Sequence, residues 1–144
     1  MRPVLFDSSV YVAALRSGPN AAVARIRRAE NAPVWLSSVV LLELYAGSGP
    51  GDRRAVERLE RDFDRLRRIL VPNLTDWTQA GKVLRQIATK YGYERIGQGR
   101  LTNDALIAMS AARRGITVVT ANEKDFAKLA EIRPFFWELQ QPIP

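Results

Sequence analysis

Val4-Leu5-Phe6-Asp7-Ser8-Ser9-Val10-Tyr11-Val12-Ala13-Ala14-Leu15 contains the local grammar that decides the fold. Val4 to Phe6 is a short apolar run with no polar alternation, the pattern of a strand buried on both faces. Asp7-Ser8-Ser9 offers side-chain oxygens that cap a helix, and Val10 to Leu15 continues as that helix. The same order recurs at Val34-Trp35-Leu36, Ser37-Ser38 and Val39 to Ala46. It recurs again at Ile116 to Thr120, followed by Asn122 and a helix from Glu123 to Ala130.

The rest of the chain fills in around these units. Ala21 to Ala29 reads as a helix after the Gly18-Pro19-Asn20 break. Val56, Leu59, Phe63 and Leu66 lie at helical spacing within Arg53 to Arg68. Ile69 to Pro72 reads as a short strand, and Thr75 as the cap of a helix reaching about Lys90. Tyr91 to Arg100 is polar and glycine-rich, hence a loop, and Thr102 opens a helix that runs to Arg114 and stops at Gly115. Phe135-Phe136-Trp137 closes the series as a last strand. Short buried strands alternating with helices predict an α/β fold with a parallel sheet covered on both faces, its ligands bound at the carboxyl ends of the strands. Neither repeat nor linker interrupts the pattern, so residues 1–144 read as one domain.

Composition narrows the chemistry. The 144 residues are 47% hydrophobic and 26% charged, which favours a packed core over disorder. Twenty-two basic against 15 acidic residues give +7, and the pI is about 10.4, so an anionic partner is expected and nucleic acid first. Cysteine and histidine are both absent. That removes disulfides, thiolate nucleophiles, Ser-His-Asp triads and zinc held by Cys or His. A metal held by what remains would be hard and oxygen-ligated: Mg²⁺, Mn²⁺ or Ca²⁺. The apolar piece between Arg2 and Asp7 is too short for a signal peptide, and Val34 to Ala46 is too short to span a bilayer, so a cytoplasmic protein is expected.

Four acids stand at or near strand ends. Asp7 follows the first strand and alone reads first as a helix cap. Glu43 sits among Val39, Val40, Leu42, Leu44 and Ala46, and either marks a solvent face or points a carboxylate into a polar site. Asp104 near a helix start suits the helix dipole, yet Leu106, Ile107 and Met109 hold that helix against the core. Asn122-Glu123-Lys124-Asp125 resembles a capping box, or else adds a fourth carboxylate beside an amide. Each signal is weak alone. Together they bring carboxylates to one end of the sheet, where they would repel one another unless a divalent cation joined them. Carboxylate-held Mg²⁺ or Mn²⁺ suggests phosphoryl chemistry.

These segments match a known family. Val4-Leu5-Phe6-Asp7-Ser8-Ser9-Val10, Ser37-Ser38-Val39-Val40-Leu41-Leu42-Glu43-Leu44, Thr102-Asn103-Asp104-Ala105-Leu106-Ile107-Ala108 and Val118-Val119-Thr120-Ala121-Asn122-Glu123-Lys124-Asp125-Phe126 fit in order and spacing. The chain resembles a PIN domain over nearly its whole length, and more closely the VapC-like toxin ribonucleases of type II toxin–antitoxin modules. The resemblance implies a three-layer α/β/α sandwich with a mostly parallel sheet of about five strands. It implies a Mg²⁺- or Mn²⁺-dependent endoribonuclease leaving 5′-phosphate and 3′-hydroxyl ends. Asp7, Glu43 and Asp104 match the three core acids that hold metal and serve catalysis, and Asp125 the more variable fourth. Asn122 stands where some members carry Asp, which bears on a second metal. Ser9 and Thr120 match polar positions of the pocket. The implied partners are structured RNA, a cognate antitoxin and a second copy of the chain in a homodimer.

Outside these motifs, Tyr91, Tyr93, Arg95 and Arg100 are the RNA-contacting candidates, since tyrosine rings stack on unpaired bases and arginines hold phosphates. Arg53 to Arg68 reads instead as a solvated, self-paired face, with Glu57 and Arg61 one turn apart. Trp35, Trp77 and Trp137 read as core or interface residues. The reading from a different class is a PIN-like RNA-binding module without catalysis, which Asn122 permits. A receiver-type phospho-switch fits poorly, because it wants adjacent acids where Ser8-Ser9 follow Asp7.

Overall fold

A computed structural model describes residues 2–16, 32–92 and 99–140 of the chain. Its strands are β1 (Val4–Phe6), β2 (Val34–Ser37), β3 (Ile69–Leu70), β4 (Thr117–Thr120) and β5 (Trp137–Leu139). Its helices are α1 (Ser8–Arg16), α2 (Ser38–Gly47), α3 (Arg53–Arg65), α4 (Leu74–Tyr91), α5 (Gly99–Arg114) and α6 (Glu123–Ile132). The strands form one sheet in the order β3-β2-β1-β4-β5, and every pairing is parallel. This is the PIN-like three-layer α/β/α arrangement, with α1, α2 and α3 in contact as one group and α4, α5 and α6 as another.

The strand order explains where a site can form. The chain runs outward from β1 through β2 to β3, then crosses back to place β4 on the other side of β1. Connections therefore diverge at β1 and β4, and their carboxyl ends leave a crevice between them. Leu5↔Val118 and Phe6↔Val119 are in register, so Asp7 lies directly beside the end of β4. The Asp7 amide donates to the Val119 carbonyl at 3.0 Å.

Leu5, Leu36 and Val118 are fully buried, as the apolar runs require of central strands in a covered parallel sheet. α3 buries Val56, Leu59 and Phe63, and its outer face carries the Arg53–Glu57 pair at 3.1 Å. Gly115 holds φ +65° in the turn from α5 into β4, a conformation that a side chain would strain.

Several boundaries differ from the sequence reading for identifiable reasons. Asn73, not Thr75, caps α4: its side chain accepts from the Asp76 amide at 2.9 Å, and Asp76 accepts from the Asn73 amide at 3.0 Å, a complete capping box. α3 ends at Arg65, before Arg67 takes φ +55°. α5 runs from Gly99 rather than Thr102, which puts Asp104 in its second turn, past the reach of a simple dipole argument. Trp77 is exposed, at 56% of its full accessibility, while Trp35 is half-buried under the Arg114 guanidinium. The helix expected over Ala21 to Ala29, and Tyr93 and Arg95, lie outside the described residues.

Candidate active site

Asp7 is 3% exposed at the first residue beyond β1. Burial raises its pKa, against the opposing effect of hydroxyl donors. Ser9 Oγ donates to one carboxylate oxygen at 2.5 Å, and Thr120 Oγ1 donates to the other at 2.6 Å. Thr120 reaches Asp7 across 113 residues of chain. Asp7 is more than a cap, because both its oxygens are held by hydroxyl groups at the crevice.

Asp104 is 3% exposed on α5, between half-buried Asn103 and the buried run that starts at Ala105. Its pKa is pushed up from 3.8 to about 8, first by burial and then by the charges of Asp7, Glu43 and Asp125. Those three names locate the acids: the structure brings all four sequence-predicted carboxylates into one electrostatic neighbourhood. Glu43 is half-buried on α2, and its pKa is raised, first by burial. Hydrogen bonds from Ser8 and Asn103 oppose that rise. Even so, its Oε1 is buried without accepting any hydrogen bond.

Asn122 bonds to two of the acids as well as capping a helix. Its side chain caps α6 by accepting from the Asp125 amide at 3.4 Å. Its amide nitrogen donates to Asp125 Oδ2 at 3.0 Å and reaches Asp104 Oδ2 at 3.4 Å. An amide here thus bridges two acids that a carboxylate at this position would repel.

The sequence reading missed Ser8 and Asn103 as partners of Glu43, and Arg16 as a neighbour of the site. Asn103 carried a faint signal, being adjacent to Asp104. A cavity of about 610 Å³ opens beside the acids, lined by Ser8, Ser9, Arg16, Glu43, Arg100 and Asn103 among others. Tyr91, by contrast, is exposed at the end of α4, with its hydroxyl donated to Glu131 Oε2 at 2.7 Å. It does not line this cavity.

As the side chains stand, no three acids among the described residues are gathered tightly enough to share one ion. Their donor set nevertheless suits a hard divalent cation. All the donors are carboxylate oxygens, one of them is buried and unpartnered, and the central acid bears repulsion from three others that the charge of Arg100 only partly offsets. The residues fit Mg²⁺ or Mn²⁺ by chemistry, with side-chain adjustment needed to close on the ion.

Comparison with known proteins agrees with this architecture. No curated protein sequence matches the chain. Among solved structures, the DNA-bound VapBC from Salmonella typhimurium aligns with a TM-score of 0.68 at 23% identity, covering 96% of this chain and 98% of that one. VapBC2 from Rickettsia felis, bound to a promoter DNA fragment, aligns with a TM-score of 0.65 at 22% identity, covering 96% and 99%. VapBC-1 from nontypeable Haemophilus influenzae aligns with 0.61 at 20% identity, covering 94% and 96%. At these identities the likeness concerns the fold. The PIN domain family model matches residues 4–132, spanning all four acids, and the chain belongs to the PIN domain family.

Proposed function

We propose that this chain is a Mg²⁺- or Mn²⁺-dependent endoribonuclease, the toxin of a toxin–antitoxin pair. The observation that carries the reading is Asp104, a buried carboxyl pushed to about 8 beside three further acids at the crevice of a parallel sheet. Such a cluster is costly in a protein that gains nothing from it, and perturbed acids gather at functional sites.

In this reading Asp7, Glu43, Asp104 and Asp125 hold the divalent ion. Bound there, the ion supplies positive charge toward phosphoryl oxygens and acidifies water for in-line attack. The chain's own groups prepare the acids. Ser9 and Thr120 hold Asp7 in one orientation, and Ser8 and Asn103 favour the charged form of Glu43. The Asn122 amide keeps Asp125 and Asp104 from turning away from each other. Cleavage would leave 5′-phosphate and 3′-hydroxyl ends. A cognate antitoxin and a second copy of the chain are the proposed protein partners, in keeping with the VapBC assemblies of the similar structures.

The test is incubation of total cellular RNA with the purified protein, free of antitoxin, in Mg²⁺, in Mn²⁺ and in EDTA. Discrete fragments should form only with metal, and both Asp7→Asn and Asp104→Asn should abolish them while retaining the fold. RNA binding that persists in EDTA, with no fragment under any condition, would replace the nuclease by a non-catalytic RNA-binding module.

A further inference from the structure

The cavity beside the acids has an uneven charge. Of the four acids only Glu43 lines it, whereas two guanidinium groups, those of Arg16 and Arg100, do. Both arginines are exposed. Arg53, Arg113 and Lys90 are each tied to a carboxylate, of Glu57, Asp76 and Glu131 respectively. Arg16 and Arg100 form no such pair among the described residues.

Arg100 lies near the acids, where its charge favours the ionised forms of Glu43 and Asp104 without forming an ion pair to either among the described residues. It stands in the first turn of α5, where a cation opposes the helix dipole, and no acid occupies that turn. The polar groups sharing the cavity are already engaged. Ser9 donates to Asp7, and Ser8 and Asn103 serve Glu43. The two guanidinium groups are therefore the donors left for an anion entering the cavity. Each offers a planar fork that fits phosphate oxygens.

We propose that Arg16 and Arg100 form a two-point grip on successive backbone phosphates of a single RNA strand leaving the acid cluster on its Glu43 side. The grip rests on the nuclease reading above and assigns it a substrate path. A cavity of about 610 Å³ is the size of a small-molecule site. It admits about one or two nucleotides of an unpaired strand, not the width of a duplex. The grip reads charge spacing and no base, so it sets affinity and leaves sequence choice to other contacts.

The experiment is fluorescence anisotropy of a labelled single-stranded RNA, with EDTA present so that no cleavage occurs, repeated across a range of salt. Arg16→Gln and Arg100→Gln should each weaken binding by about threefold to tenfold and flatten the log–log salt slope by about 0.7, the double variant by about 1.4. Arg100→Lys should keep most of the slope, and Arg53→Gln should bind as the parent does. A double variant with an unchanged slope, or a parent that binds no RNA in EDTA, would overturn the grip. Cleavage with Mn²⁺ separates the two ideas. Slope changes without any cleavage sink the nuclease and leave the grip standing. Cleavage by the double variant at an unchanged KM sinks the grip and leaves the nuclease.

Discussion

Asp104 contributes to the pH behaviour of the metal-free protein alongside Asp7 and Glu43, whose carboxyls burial shifts in the same direction. Its ordinary pKa of 3.8 applies to the unfolded chain, and about 8 applies to the fold. Below about pH 4 the group is protonated in both states and contributes no penalty. As pH rises from there, the unfolded chain releases a proton that the fold retains, so stability falls until about pH 8 and then levels. Thermal melts in EDTA should show this decline. Asp104→Asn should lessen it, leaving the part owed to Asp7 and Glu43, and stabilise the metal-free protein near pH 8 by on the order of a few kcal/mol. A variant that melts lower than the parent at pH 8 would count against a strained carboxyl here. At the same scale, Thr120→Val removes one of the two hydroxyl donors to buried Asp7. Loss of a hydrogen bond to a charged group costs about 1.5–3 kcal/mol of support for the carboxylate, so cleavage should fall at pH 7 and recover partly at higher pH. An unchanged pH–rate profile would count against this role of Thr120.

Helix α4 shows how one acid can serve two structures. Asp76 closes the capping box with Asn73 and also receives the Arg113 guanidinium from α5, at 2.9–3.0 Å. It is 2% exposed, and the Arg113 side chain 31%. Asn73→Ala should cost about 1 kcal/mol, the usual value of a lost cap. Asp76→Ala loses cap and ion pair together and should cost about 2–4 kcal/mol by urea denaturation. A double-mutant cycle with Arg113→Ala separates the two parts. Equal costs for Asn73→Ala and Asp76→Ala would show that the link to α5 carries nothing. Because α5 also carries Asp104, a loosened α4–α5 contact should weaken metal binding as well.

For the whole molecule, a divalent ion that binds only the folded state should stabilise it by mass action. A hundredfold excess over Kd is worth about 2.7 kcal/mol. Mn²⁺ should therefore raise the Tm of the parent near pH 8, and the rise should vanish in Asp104→Asn, whatever the RNA substrate is. An equal Tm rise in that variant would place the ion elsewhere.

The alternation of short apolar strands and amphipathic helices was legible because burial imposes it on the chain locally. Val4 to Phe6 reads as a buried strand from its apolar run, and Ile116 to Thr120 reads as a strand, which the structure places at Thr117–Thr120. The absence of histidine and cysteine likewise restricts any metal site to oxygen ligands. Glu43 stands out as a carboxylate among apolar neighbours, Asp7 alone reads as a helix cap, and the family resemblance joins both to Asp104 and Asp125. Placement at strand ends already suggested that the acids converge; what no local pattern could supply were the contacts that hold them. Thr120 holds Asp7 only because β4 crosses back to lie beside β1, and the Asn122 amide reaches Asp104 only because α6 starts where α5 passes. The pairing of Asp76 with Arg113, and the two unpaired arginines of the cavity, belong to the same class. Burial and helix period act over a few residues and are written in neighbours. Electrostatic coupling acts through space, so the raised pKa of Asp104 was decided by the tertiary structure.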